Sequence, residues 1–127
     1  MTVWLSRQLV LAIHEEQLAE HGGAMGLRDA GLLESALARP SNRAGYGDPD
    51  LAELAGLYGI AIARNHPFVD GNKRTAYVAL KTFILLDGCG FPVSEADAVV
   101  NMLDMASGEA TDDEFIGWVR SIMTTPR

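Results

Sequence analysis

An all-α bundle of about six helices is the architecture this sequence predicts, and three observations carry it. Apolar residues recur at helical spacing in six stretches, several of these open on a capping residue such as Ser6, Ser94 or Thr111, and glycine or proline clusters close them. At 127 residues the chain reads as one domain, long enough to bury about two thirds of its unfolded surface. Its 48% apolar fraction supports a real core.

Residues 1–5 read as a short extended start. From Ser6 to about Glu20 a helix is expected, with Leu9, Ala12 and Ile13 on one face and Gly22-Gly23 as its stop. Arg7, His14, Glu15 and Glu16 interrupt the apolar run, so it is neither a signal peptide nor a membrane span. His14 and His21 read as surface or helix-end residues rather than ligands. Asp29 starts a second helix to about Ala38, with Leu32, Leu33, Ala36 and Leu37 as its apolar side. Arg39 to Asp50 then breaks all periodicity, and a twelve-residue loop is long enough to suggest a function.

Leu51 to Asn65 predicts the third helix, in which Gly56 and Gly59 point to close packing against a neighbour. Arg64 stands in its last turn, where a cation favours the helix C-terminus and can also face the loop after it. The fourth helix, Asn72 to about Leu86, is apolar nearly all round and belongs at the centre of a bundle. Ser94-Glu95-Ala96-Asp97 opens a fifth helix to about Ala106, expected to bury Val99, Val100, Met102 and Leu103. Thr111-Asp112-Asp113-Glu114 opens a last helix through Phe115, Ile116, Trp118, Val119, Ile122 and Met123.

Seventeen acidic and ten basic residues give a net charge of −7, which argues against general nucleic-acid binding. The bases are unevenly spread, since Arg64, Lys73, Arg74 and Lys81 fall within eighteen residues and can form a positive pocket on an acidic body. From Gly88 to Val119 there are seven acids and no base, a pattern of solvated faces that a basic partner can also use. The single cysteine, Cys89, excludes an intrachain disulfide and suits a reducing cytosol.

The chemistry is concentrated in His66-Pro67-Phe68-Val69-Asp70-Gly71-Asn72-Lys73-Arg74. Pro67 ends the preceding helix and biases His66 toward an extended conformation, and Asp70-Gly71-Asn72 is turn chemistry before a new helix. A helix N-terminus carries unpaired N–H groups and about half a positive charge, so it suits an anion. Gly71 lets a phosphate approach the backbone, while Lys73 and Arg74 add full charges. A carboxylate beside a phosphate site repels the ligand unless a cation intervenes, which makes Asp70 a candidate Mg²⁺ ligand. His66 can take a proton from an attacking hydroxyl near neutral pH. Phe68 is the anchor that plugs the loop into the core.

These residues resemble the signature of the Fic/Doc family, H-x-F-x-D/E-G-N-x-R, at every specified position: His66, Phe68, Asp70, Gly71, Asn72 and Arg74. Family members that transfer AMP usually carry Gly where this chain has Lys73 and a second Arg where it has Tyr77; in both respects the chain is similar to the Doc toxins. The resemblance implies a toxin of a toxin–antitoxin module, cytoplasmic, moving the γ-phosphoryl of ATP to a Thr hydroxyl of a translation factor, elongation factor Tu. His66 would be the base, Asp70 the Mg²⁺ ligand, and Gly71, Asn72, Lys73 and Arg74 the phosphate cradle, with Arg64 facing the same site. A flap formed by the 39–50 loop would align the target polypeptide through Arg43 and Tyr46. The inhibitory pattern S/T-x-x-x-E-G/N of self-restrained relatives does not occur, so restraint is expected from a separate antitoxin. AMP transfer, a metal-dependent nuclease and a non-catalytic binding protein are the competing readings.

Overall fold

The computed structural model describes residues 1–126 and is built from six helices: α1 Arg7–His21, α2 Ala30–Ala44, α3 Leu51–Asn65, α4 Asn72–Leu86, α5 Glu95–Ser107 and α6 Asp112–Ile122. Among those residues there is no sheet, only two isolated antiparallel bridges, Leu27–Phe68 and Gly90–Thr124. No helix among the described residues is long and apolar enough to cross a membrane.

The helix starts come from local chemistry. Ser6, Asp29, Asp50, Ser94 and Thr111 each accept a hydrogen bond from a first-turn N–H, and Thr111 with Glu114 forms a reciprocal capping box. Only α4 begins without a side-chain cap, on Gly71 in the left-handed region.

The most completely buried helix is α3, with eleven of fifteen residues inside; α4 packs along it and shares the centre. Two glycines set the spacing. A Cβ on Gly56 would stand 2.6 Å from Ile116 Cγ1 of α6, and one on Gly59 would stand 2.8 Å from Leu80 Cδ2 of α4. Small residues there let both neighbours approach closely, which explains glycine in a helix interior despite its poor propensity. Tyr58, Phe83, Ile60, Leu80 and Phe115 fill the space between. The extended start docks onto this core, with Leu5 N–H donating to Tyr58 Oη (3.1 Å) and Trp4 stacked on Phe83.

Four local expectations change. Helix α2 does not stop at Ala38 but runs through Pro40 to Ala44. Leu33, Ala36 and Pro40 lie on one buried stripe, so packing of the proline ring offsets the single helical hydrogen bond it removes. The loop after it is therefore short, Gly45 to Asp50, and is held by an Arg43–Glu53 ion pair (2.7 Å). On α1 the buried face is Val10, Ile13, His14 and Gln17, with Ala12 exposed, so His14 is an interior residue and not a surface one. On α5 the inward seam is Ala98, Met102 and Met105, while Val99, Val100 and Leu103 are half exposed.

A methyl at Gly56 has to displace Ile116, an overpacking cost at the upper end of about 1–3 kcal/mol that exceeds the roughly 1 kcal/mol gained in helix propensity, so Gly56→Ala should lower stability by about 1–2 kcal/mol net. A melting temperature equal to or above that of the parent would contradict this view of the α3–α6 contact.

Candidate active site

The loop from His66 to Gly71 connects the end of α3 to the start of α4, and each of its residues is held by a separate contact. His66 takes the left-handed conformation (φ 50°, ψ 54°) as the residue that terminates α3. It is the one non-glycine residue with positive φ among those described. That conformation usually falls to glycine at helix ends, so a histidine there carries strain of about 1 kcal/mol or more. The extended geometry expected from Pro67 is thus overridden. The cause is Arg28, whose Nε donates to the His66 carbonyl (2.6 Å) and whose Nη2 donates to that of Asn65 (2.9 Å). A guanidinium on the last carbonyls also meets the negative end of the α3 dipole.

The connector between α1 and α2 lies along the loop. The N–H groups of Arg28 and Asp29 donate to the Pro67 carbonyl (2.7 and 3.0 Å), and Val69 N–H donates to the Gly26 carbonyl (3.0 Å). Ala24 N–H donates to Asp70 Oδ2 (3.3 Å), and a Cβ on Gly23 would stand only 2.9 Å from that oxygen. Phe68 is buried, as an anchor should be. Beneath it, Asn72 Oδ1 accepts from Phe68 N–H (3.0 Å) and Asn72 Nδ2 donates to the Phe68 carbonyl (2.9 Å). The Asn72 side chain therefore braces the loop backbone, and the residue also lines the cavity shared by His66, Asp70 and Arg74.

His66, Asp70, Gly71, Lys73 and Arg74 line one cavity of about 1070 Å³ between the loop, α4 and α5. Tyr77 of α4 and Val99, Met102 and Leu103 of α5 make its apolar part, while Gln17, Glu20 and His21 of α1 and Glu95 of α5 add polar and acidic groups to the rim. Lys73 and Arg74 are exposed and make no ion pair among the described residues, so their charge is directed at the cavity and solvent. Asp70 is held below the ordinary carboxylate range, first by the Gly71 N–H on Oδ1 (2.8 Å), then by the Ala24 N–H, with smaller help from Arg74.

Three expected site residues stand elsewhere. Arg64 is engaged by Asp112 Oδ1 (2.6 Å) and the Met105 carbonyl (3.0 Å), tying the end of α3 to α5 and α6, because those acceptors offer a charge-assisted pair. Arg43 pairs with Glu53, donates to the Tyr46 carbonyl and lies over the Tyr46 ring at 5.0 Å. Both Arg43 and Tyr46 line a separate cavity of about 470 Å³ beside α2, α3 and α6. The segment that borders the loop is 23–29 and not 39–50, since continuation of α2 through Pro40 shortens the latter. Sequence reasoning misses two residues that shape the site, Arg28 and His14. The burial of His14 is legible in the Val10, Ile13, His14, Gln17 spacing, an i, i+3, i+4, i+7 stripe; Arg28 has no local signal, as its acceptors are 37 and 38 positions away.

Asn72→Ala leaves the buried Phe68 N–H and carbonyl without their partner and should cost about 2–4 kcal/mol in chemical denaturation. Because the folded pKa of Asp70 is depressed, its stabilisation is present above the unfolded value of about 4 and is lost as pH falls through the lower folded value. The difference in melting temperature between the parent and Asp70→Asn should stay constant from about pH 5 to 8 and close below about pH 4; a difference that closes already near neutrality would contradict the contacts at Asp70.

The profile of the Fic/DOC family matches residues 4–84, which include the whole loop and most of α4. Toxin Doc of Mycolicibacterium smegmatis is 39% identical over 108 residues, 80% of this chain and 80% of its own. Protein kinase doc of Escherichia phage P1 is 34% identical over 85 residues, 66% of this chain and 68% of its own. With the signature residues on one loop at a helix entrance, and with agreement of this extent, the chain belongs to the Fic/Doc family.

Proposed function

We propose that this protein is the toxin of a toxin–antitoxin module and a protein kinase, moving the γ-phosphoryl of ATP to a hydroxyl of a translation factor, a Thr of elongation factor Tu, in the cytoplasm. One observation carries the reading: α4 alone begins without a side-chain cap, and its free N–H groups open beside Lys73, Arg74, Asp70 and His66 in one cavity. Unsatisfied N–H groups, a helix dipole and two unpaired cations suit a polyphosphate. The names of the two relatives, Toxin Doc and Protein kinase doc, support a transferase of this kind.

The residues divide the work. His66 accepts the proton of the acceptor hydroxyl, whose oxygen forms the new bond to phosphorus while the bond from that phosphorus to the bridging oxygen breaks and ADP departs. Lys73, Arg74 and the α4 N-terminus offset charge on the phosphate oxygens as it redistributes. Asp70, exposed and with lone pairs left after its two N–H bonds, fits a Mg²⁺ ion held by one carboxylate together with phosphate and water. Bound there, the ion would neutralise phosphate charge. A bulky cation at Lys73, in place of glycine, disfavours seating the inner phosphates deep in the loop and so favours presenting the γ-phosphate. Gly71, which keeps the loop open to the backbone, is the feature that favours the second reading, AMP transfer. The half-exposed Val99 and Leu103 on the cavity wall support an antitoxin whose segment covers this site in trans.

Purified protein incubated with γ-labelled or α-labelled ATP and a bacterial lysate should transfer label to a protein only from the γ position; label from the α position alone, or from neither, overturns the kinase assignment. His66→Ala should reduce transfer by about 10²–10⁴-fold and abolish toxicity with an unchanged circular dichroism spectrum.

A further inference from the structure

We propose that His14 is a positioning residue for this site: from α1 it pins the Asp70–Gly71 peptide and so sets the direction of the Asp70 carboxylate and of the first N–H groups of α4. His14 is buried, with an accessibility of 4%. Its Nε2 lies 2.8 Å from the Asp70 carbonyl, a group that can only accept, so Nε2 carries the proton and donates it. The same ring stacks on Phe68 at 3.7 Å between centroids and 7° between planes. A Cβ on Gly71 would stand 3.8 Å from it. Phe68, Asp70 and Gly71 therefore all bear on one side chain that is 56 positions from Asp70 in sequence.

The peptide unit itself transmits the effect. The Asp70 carbonyl and the Gly71 N–H belong to one rigid plane and point in opposite directions. His14 holds the carbonyl end, and Asp70 Oδ1 accepts from the N–H end at 2.8 Å. Fixing the carbonyl thereby aims the N–H at the carboxylate, which also receives Ala24 N–H. Gly71, with φ 77° and no Cβ, offers little resistance to rotation of that plane. Without the His14 donor the plane can turn, the carboxylate loses its nearest N–H and the entrance to α4 is re-aimed. An imidazole buried against an aromatic ring is costly unless its polar atom is used, and here it is used on the residue assigned to the metal.

This role rests on the phosphotransfer reading, and the test separates the two. Hydrogen exchange at the Gly71 and Ala24 amides, measured without nucleotide, should speed up in His14→Leu and return toward the parent in His14→Gln, whose amide N–H can take the place of Nε2–H. Amides in the middle of α3 should keep their protection in both. With γ-labelled ATP and the acceptor protein, His14→Leu should lower kcat by about 10–100-fold while KM for the acceptor changes less than about threefold, and His14→Gln should recover most of the loss. Parent exchange rates at both amides in His14→Leu, or a glutamine variant as impaired as the leucine one, overturn the proposal. Should His14→Leu lose the fold, His14→Phe and His14→Gln are compared in its place. A parent protein that transfers no label refutes the kinase reading, and the exchange comparison still decides the role of His14.

Discussion

Two helix ends face each other across six residues, and the different ways in which they are satisfied govern this molecule. The C-terminal carbonyls of α3 receive a guanidinium from Arg28, while the N-terminal N–H groups of α4 receive no side chain at all. The first arrangement fixes where the loop begins, with His66 in the left-handed region that residues other than glycine seldom occupy. The second leaves a positive, donor-rich opening next to that histidine. An end that is tied and an end that is open hold the loop in one place beside a positive opening, the kind of placement that positioned chemistry requires.

The rest of the fold serves that junction. Gly56 and Gly59 let α6 and α4 close onto α3, so the helix that presents the loop is the most completely buried in the bundle. The connector 23–29 laid along the loop supplies backbone donors that a single motif cannot provide for itself. Each contact is modest, with a net contribution of about 1 kcal/mol. Together they act on six consecutive residues, so the loop has few ways to rearrange without breaking several at once.

Helix α5 shows the opposite tendency. It touches the bundle along the narrow seam of Ala98, Met102 and Met105 and turns valines and a leucine toward the cavity and solvent. Apolar positions at helical spacing admit more than one inward face, and neighbours decide between them. With Val99, Val100, Met102 and Leu103 all apolar, periodicity along α5 could not choose the seam; the short contact with α4, α3 and α6 did. Likewise Pro40 reads locally as a helix end, yet burial of its ring on α2 outweighs one absent hydrogen bond.

What the amino-acid order determined on its own was local: the number of helices, nearly all their starts through capping chemistry, and a stretch whose residue types suit phosphate, a divalent cation and proton transfer. Those properties depend on neighbours within four or five positions, which is the range of a helical turn. Tertiary structure alone decided which side chains complete the site. It turned Arg64 toward Asp112, kept Arg43 and Tyr46 in another cavity, redirected Asn72 to the loop backbone, and brought in Arg28 and His14 from 37 to 56 positions away. The physical reason is that a charged or polar group takes the strongest partner that folding places within about 3 Å, and sequence distance does not limit which partner that is.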